Sequence, residues 1–221
     1  MVNRKWLKFK PYFENADCQL HTTYTDGKST PEEYFAKAEE NRLSFILFSE
    51  HVRRVTTYDY LKFKEHVYRA GAKSTVKFAV GAEAKVLDKE GNIDISEQIL
   101  KEAEMVLFSF HTPNFNPVPE YIKAIKMAAA NPVVDVFAHP TMYHHWQNQT
   151  PNERDWMEIV HALAEANVCY EINAKYPLPS NEEINAVGRY PTLQIIYGSD
   201  AHHHDNLLTQ PQIESFRKLV S

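Results

Sequence analysis

The sequence predicts an α/β protein, a distorted seven-stranded barrel in a single domain. Three observations predict it. Seven short apolar runs, rich in β-branched and aromatic residues, are separated almost throughout by segments of helical pattern. That alternation implies parallel strands with right-handed crossovers, one strand short of the usual eight-stranded barrel. Six of the runs stop at His, Asp or Glu: CQLH at His21, SFILFSEH at Glu50-His51, VKFAVGAE at Glu83, EMVLFSFH at His111, VVDVFAHP at His139 and LQIIYGSDAHHH at Asp200 and His202. No composition break, low-complexity tract or internal repeat divides residues 1–221, which suffice to bury a substantial core.

Taken in order, residues 1–15 are basic and aromatic and read as an N-terminal arm packing on the barrel. Strand one covers 16–21. Ser29-Thr30-Pro31-Glu32-Glu33 places a hydroxyl before proline with acids in the first turn, so helix one starts at Pro31 and runs to Glu40. Its apolar positions Tyr34, Phe35 and Ala38 share a face. Strand two is Ser44–Ser49, and DYLKFKEHVYRA is the second helix. Strand three, Thr75–Glu83, leads to a turn at Lys89–Asn92 and a short acidic helix at Ser96–Glu104. Strand four, Met105–Phe110, is followed by a Pro-rich loop and a helix at Glu120–Ala130. Strand five, Val133–Ala138, precedes a long loop and the helix DWMEIVHALAEA. Strand six is Val168–Asn173, with a helix at Asn181–Gly188. Strand seven is Leu193–Tyr197, and a helix at Gln212–Val220 ends the pattern.

The formal charge of −5 and pI near 6.1 disfavour a broad surface for duplex nucleic acid. Cys18 and Cys169 fall within strands and read as small buried hydrophobes. With no signal peptide, long apolar span or cysteine framework, a reducing cytoplasm is the expected location, with no membrane partner. Gly-x-Gly-x-x-Gly, Walker, Gly-x-Ser-x-Gly and His-Glu-x-x-His signals are absent.

Loops after parallel barrel strands converge on one face, which carries the chemistry. Imidazole and carboxylate donors gathered there suit zinc, manganese or iron, and the lack of cysteine ligands argues against a structural zinc finger. Glu83, with two oxygens, can bridge two cations, an arrangement that activates water for phosphoryl displacement. Arg53, Arg54 and Lys175 are the cations nearest the strand ends and read as phosphate clamps. His144 and His145, with Tyr143 and Trp146, sit in a loop over this face, His145 as a substrate contact. His66 and His161 lie inside helices and read as structural, while His203 and His204 belong to the rim.

In order along the chain, Gln19-Leu20-His21-Thr22 with Thr25-Asp26-Gly27, Ser49-Glu50-His51, Gly81-Ala82-Glu83, His111, Ala138-His139-Pro140 and Ser199-Asp200-Ala201-His202 resemble the polymerase-and-histidinol-phosphatase (PHP) family of metal-dependent phosphoesterases. The resemblance implies a distorted seven-stranded, TIM-like barrel with two to three divalent ions, zinc, manganese or iron, or magnesium. It implies one ion on His21, Glu83 and Asp200 with position 19 as a further ligand. Glu83 then bridges to a second ion on His111 and His139, and His51, His202 and Asp26 hold a third. Glu83, Asp200 and Glu50 are the catalytic residues expected with it, joined by Arg53 from its place two residues after His51. Two departures stand out: Gln19 replaces the family's first histidine, and Glu50 replaces an aspartate. An amide oxygen is a weaker, harder donor than imidazole, which leaves the first metal labile, hard or missing.

The function expected from this set is hydrolysis of a small phosphomonoester or nucleotide through a metal-activated water. Two alternatives accompany it: a non-catalytic metal-binding barrel acting as an interaction module, with Gln19 and Glu50 as its support, and an exonuclease acting on oligonucleotide ends. Amidohydrolase-like C–N hydrolysis ranks lower, because no candidate carbamylated lysine stands at a middle strand end.

Overall fold

The computed structural model describes residues 4–111, 115, 117–143 and 150–220. Seven parallel strands run in sequence order around one sheet: β1 (Ala16–Leu20), β2 (Phe45–Val52), β3 (Lys77–Lys85), β4 (Val106–Ser109), β5 (Val136–Phe137), β6 (Cys169–Asn173) and β7 (Ile195–Gly198). The helices between and after them are α1 (Pro31–Glu40), α2 (Tyr60–Gly71), α3 (Glu97–Glu102), α4 (Val118–Ala130), α5 (Glu153–Ala166), α6 (Asn181–Gly188) and α7 (Gln210–Leu219). The barrel is nearly closed: Leu20 bridges Ala201, and His21 N–H donates to Ala201 C=O at 2.8 Å.

Alternation of side chains along each strand sorts the residues into two cores. Ile46, Phe48, Val80, Val106, Phe108, Tyr170 and Ile172 face outward and pack with the apolar faces of the helices. Phe45, Leu47, Ala79, Met105, Leu107, Val136, Cys169 and Ile196 fill the barrel interior. Trp6 and Phe13, on two 3-10 turns at Lys5–Lys8 and Lys10–Asn15, join that interior layer from below. The arm is anchored by the buried Arg4, whose guanidinium donates to the carbonyls of Ala129, Asn131, Val134 and Ala166 at 2.6–2.9 Å. These orphan carbonyls at and just beyond the C-termini of α4 and α5 have no helical partner of their own. Cys18 and Cys169 are free and buried.

Helix starts follow their caps. Thr30 and Glu33 form a reciprocal capping box on α1, Asn152 and Asp155 on α5, and Ser180 and Glu183 on α6. The last helix begins at Gln210, two residues before the expected Gln212, because Thr209 and Gln212 form a box. Strand β2 extends to Val52, paired with β3 as far as Ala84. Glu50 and His51 therefore sit within the strand rather than beyond it. β5 is shorter than expected because Asn131 sets a turn, its side chain accepting from Val133 N–H.

Candidate metal centre

The same alternation that fills the barrel floor with apolar side chains lifts a polar layer above it. On β3 the inward column is Ala79, Gly81, Glu83, and on β6 it is Cys169, Glu171, Asn173. Glu83 stands at the centre, with its carboxylate fully buried. Its Oε1 lies 2.8 Å from His139 Nε2 and 3.1 Å from His111 Nε2. Its Oε2 lies 3.0 Å from His51 Nδ1 and 3.4 Å from His21 Nε2. Each carboxylate oxygen thus faces its own pair of imidazoles.

His21 Nε2 is also 3.1 Å from Asp200 Oδ1. Asp26 Oδ2 lies between His202 Nε2 at 3.2 Å and His51 Nε2 at 3.5 Å. His202 Nδ1 donates to the Asp200 carbonyl at 2.9 Å, a contact of the kind that orients a ligand ring. The backbones of His139 (φ 32°) and Asp200 (φ 49°) are left-handed, uncommon for residues other than glycine, and such conformations gather at functional sites.

Electrostatics describe a centre that calls for positive charge. Burial alone raises a carboxyl's pKa, yet His111 and His51 hold Glu83 well below the usual range. Asp26 is held far below its ordinary value by hydrogen bonds from His202 and His51. Burial works against a charged His51, but the charge on Glu83 and the bond to Asp26 push it up to about 11. The protons on these rings occupy lone pairs that a metal ion would take, so the two compete. His21 Nδ1 and His139 Nδ1 are buried without a hydrogen-bond partner, an expensive state for polar atoms. Ligand atoms of His51, Glu83 and His111, and of His21, His51 and His202, fall within 4.8 Å of one another. Nitrogen and carboxylate donors so arranged fit divalent ions of the zinc, manganese or iron kind.

A model of the PHP domain matches residues 17–175. The chain belongs to the PHP domain family. A probable phosphatase of Clostridium novyi is 31% identical over 131 residues, 55% of this chain and 51% of that protein, so the match spans about half of that curated relative's length. Among solved structures, a chain in archaeal ribonuclease P with mature tRNA superposes with a TM-score of 0.60 at 11% identity, covering 92% of this chain and 82% of that one. A two-domain protein from Bacteroides vulgatus containing a predicted PHP-like metal-dependent phosphoesterase gives 0.55 at 17% identity, covering 86% and 52%. At such identities the likeness concerns the fold.

Within this PHP barrel, His21, Asp26, His51, Glu83, His111, His139, Asp200 and His202 come together around Glu83. Gln19 points elsewhere: with its nitrogen turned to Glu171, its amide donates to Oε2 at 2.8 Å and Oε1 at 2.9 Å. Glu50 is buried, and its carboxylate accepts from Thr22 N–H at 2.6 Å and from the Thr22 and Thr25 hydroxyls. Neighbouring strand residues face opposite sides, so with His51 turned to Glu83, Glu50 serves the loop after β1. Arg53 lines a groove of about 630 Å³ that opens from His51, Glu83 and His111 between Tyr24 and Tyr58. Arg54 is exposed beside it, its backbone N–H on Asp94. Lys175 Nζ bonds Asp200 Oδ2 at 2.8 Å. His145 lies outside the described residues.

Two residues of this layer escaped sequence reasoning. Glu171 is fully buried, accepts from His139 N–H at 2.6 Å and from Asn173 Nδ2 at 3.2 Å, and burial raises its pKa well above the ordinary value. Lys85 lines the groove beside Arg53. The parity of the strands carried both signals: Glu171 is two residues before Asn173, and Lys85 two after Glu83.

Proposed function

We propose that this chain is a metal-dependent phosphoesterase that hydrolyses a small phosphomonoester or nucleotide at a centre of two or three divalent ions. The supporting observation is the bridging posture of Glu83, with a separate histidine pair on each oxygen. Divalent ions held there would lower the pKa of water and offset charge on phosphoryl oxygens.

The chain's own residues do the rest. His111 and His139 present Nε2 atoms to one Glu83 oxygen, and His51 and His21 crowd the other. Asp26 orients His51 and His202. Arg53 and Lys85, with no ion-pair partner among the described residues, line the groove where a phosphate ester would lie, and guanidinium and ammonium groups stabilise charge on a transferring phosphoryl group. The Tyr24 and Tyr58 rings, 6.1 Å apart, give the groove an aromatic wall for the organic part of the ester. The relatives named probable phosphatases favour the same chemistry.

The test is turnover of p-nitrophenyl phosphate by protein stripped with chelator and then supplied with manganese or zinc. Recovery of turnover on metal addition supports the proposal. A protein that binds metal and turns over neither this ester nor nucleoside monophosphates refutes it, and leaves the interaction-module alternative, which the engagement of Gln19 and Glu50 away from the cluster favours.

A further inference from the structure

We propose that this centre takes up two divalent ions and not three, because Gln19 is bonded to Glu171 and the Lys175 ammonium stands against Asp200 where a third ion would sit. The inference deepens the phosphoesterase reading and rests on it.

The three-ion arrangement implied by family resemblance needs a ligand at position 19 beside His21, Glu83 and Asp200. In this chain the amide of Gln19 is held by both oxygens of Glu171 at 2.8 and 2.9 Å. Glu171 cannot easily release it. Its Oε2 is fixed by the His139 N–H and by Asn173, and the missing side chain of Gly198 makes its space: a Cβ there would lie 1.9 Å from Glu171 Oε1 and 3.1 Å from Gln19 Cβ. Freeing Gln19 to coordinate would take a partner from the buried Glu171 carboxyl, a cost that an amide oxygen, a weak ligand, does not offset.

Charge gives the second argument. Lys175 Nζ, on the segment after β6, lies 2.8 Å from Asp200 Oδ2. A dication on the other oxygen of Asp200 would sit within a few ångströms of this ammonium, and like charges so close repel. The ammonium already neutralises Asp200, the carboxylate that the third ion would share. Ligands for two ions remain around the bridging Glu83: its Oε1 with His111 and His139 for one, and its Oε2 with His51, His202 and Asp26 for the other, with His21 between them.

The experiment measures stoichiometry rather than turnover. Apoprotein prepared with chelator is titrated with Mn²⁺ and with Zn²⁺ by calorimetry, and the metal retained after gel filtration is counted by plasma mass spectrometry. The wild type is expected to take up two equivalents, and the double variant Gln19→His, Lys175→Gln, which removes both obstacles and restores an imidazole, three. Three equivalents in the wild type, or two in a folded double variant, overturn the inference and leave the phosphoesterase reading standing. No uptake at all overturns both together. Should the double variant fail to fold, the wild-type count still decides.

Discussion

Replacing Gly198 with alanine tests how the floor of the proposed metal centre supports its candidate ligands. The new Cβ would lie 1.9 Å from Glu171 Oε1 and 2.8 Å from its Cδ, so the carboxylate must move. It has nowhere free to go: it is fully buried and holds the His139 N–H at 2.6 Å. Overpacking of this kind costs about 1–3 kcal/mol, and loss of the hydrogen bond from His139 N–H about 0.5–1.5 kcal/mol more. In a chain of this size the sum lowers the melting temperature by on the order of 10 °C. His139, released from its left-handed backbone, would no longer present Nε2 to Glu83, and loss of such outer support weakens metal binding about 10- to 100-fold. Differential scanning calorimetry of the apoprotein and metal titration read the two effects separately. A G198A protein that melts within about 2 °C of the wild type and binds metal equally well would refute the idea that Glu171 is locked in place.

Other outcomes follow from the same structure. Glu183 is buried against the Tyr170 hydroxyl, and burial raises its pKa from 4.5 to about 8. It keeps its proton on folding, so its contribution to stability is full below pH 4.5 and is lost as pH rises through 8. Glu183→Gln should therefore gain on the wild type as pH rises over that range, by up to about 5 kcal/mol; parallel urea-denaturation profiles for the two proteins would contradict this. His51, pushed up to about 11, is charged at neutral pH without metal, so metal uptake at pH 7 should release protons. Calorimetry in buffers of different ionisation enthalpy detects them, and a buffer-independent heat would count against the site. Arg4→Ala should leave four carbonyls without their donor and cost about 3–5 kcal/mol in urea denaturation, whereas a loss below about 1 kcal/mol would show the arm to be dispensable.

How legible this was in the sequence depends on how far each signal acts. The strand ends announced themselves, because an apolar run that stops at histidine carries both the strand and its cargo, and His21, His51, Glu83, His111, His139, Asp200 and His202 do converge. The helix starts were legible where a hydroxyl preceded acids, as at Thr30. The role of Glu50 was not, since its neighbour His51 belongs to the cluster and only the extension of β2 to Val52 decides which of the two faces inward. Gln19 and Glu171 lie 152 positions apart in the chain, and nothing local to either predicts their bond. That contact forms because β1 and β7 close the barrel and bring β6 and β1 around Gly198, a property of the whole sheet.

The most direct test of the account is the metal content of Glu83→Ala beside the wild type, both purified without chelator and both checked for fold by circular dichroism. If Glu83 is the carboxylate around which the ions assemble, the variant should keep the barrel and retain less than about a tenth of the wild-type metal, because the loss strikes a shared ligand. A folded variant carrying the wild-type amount of metal would show that the histidines hold their ions without Glu83, and the proposed centre would be wrong.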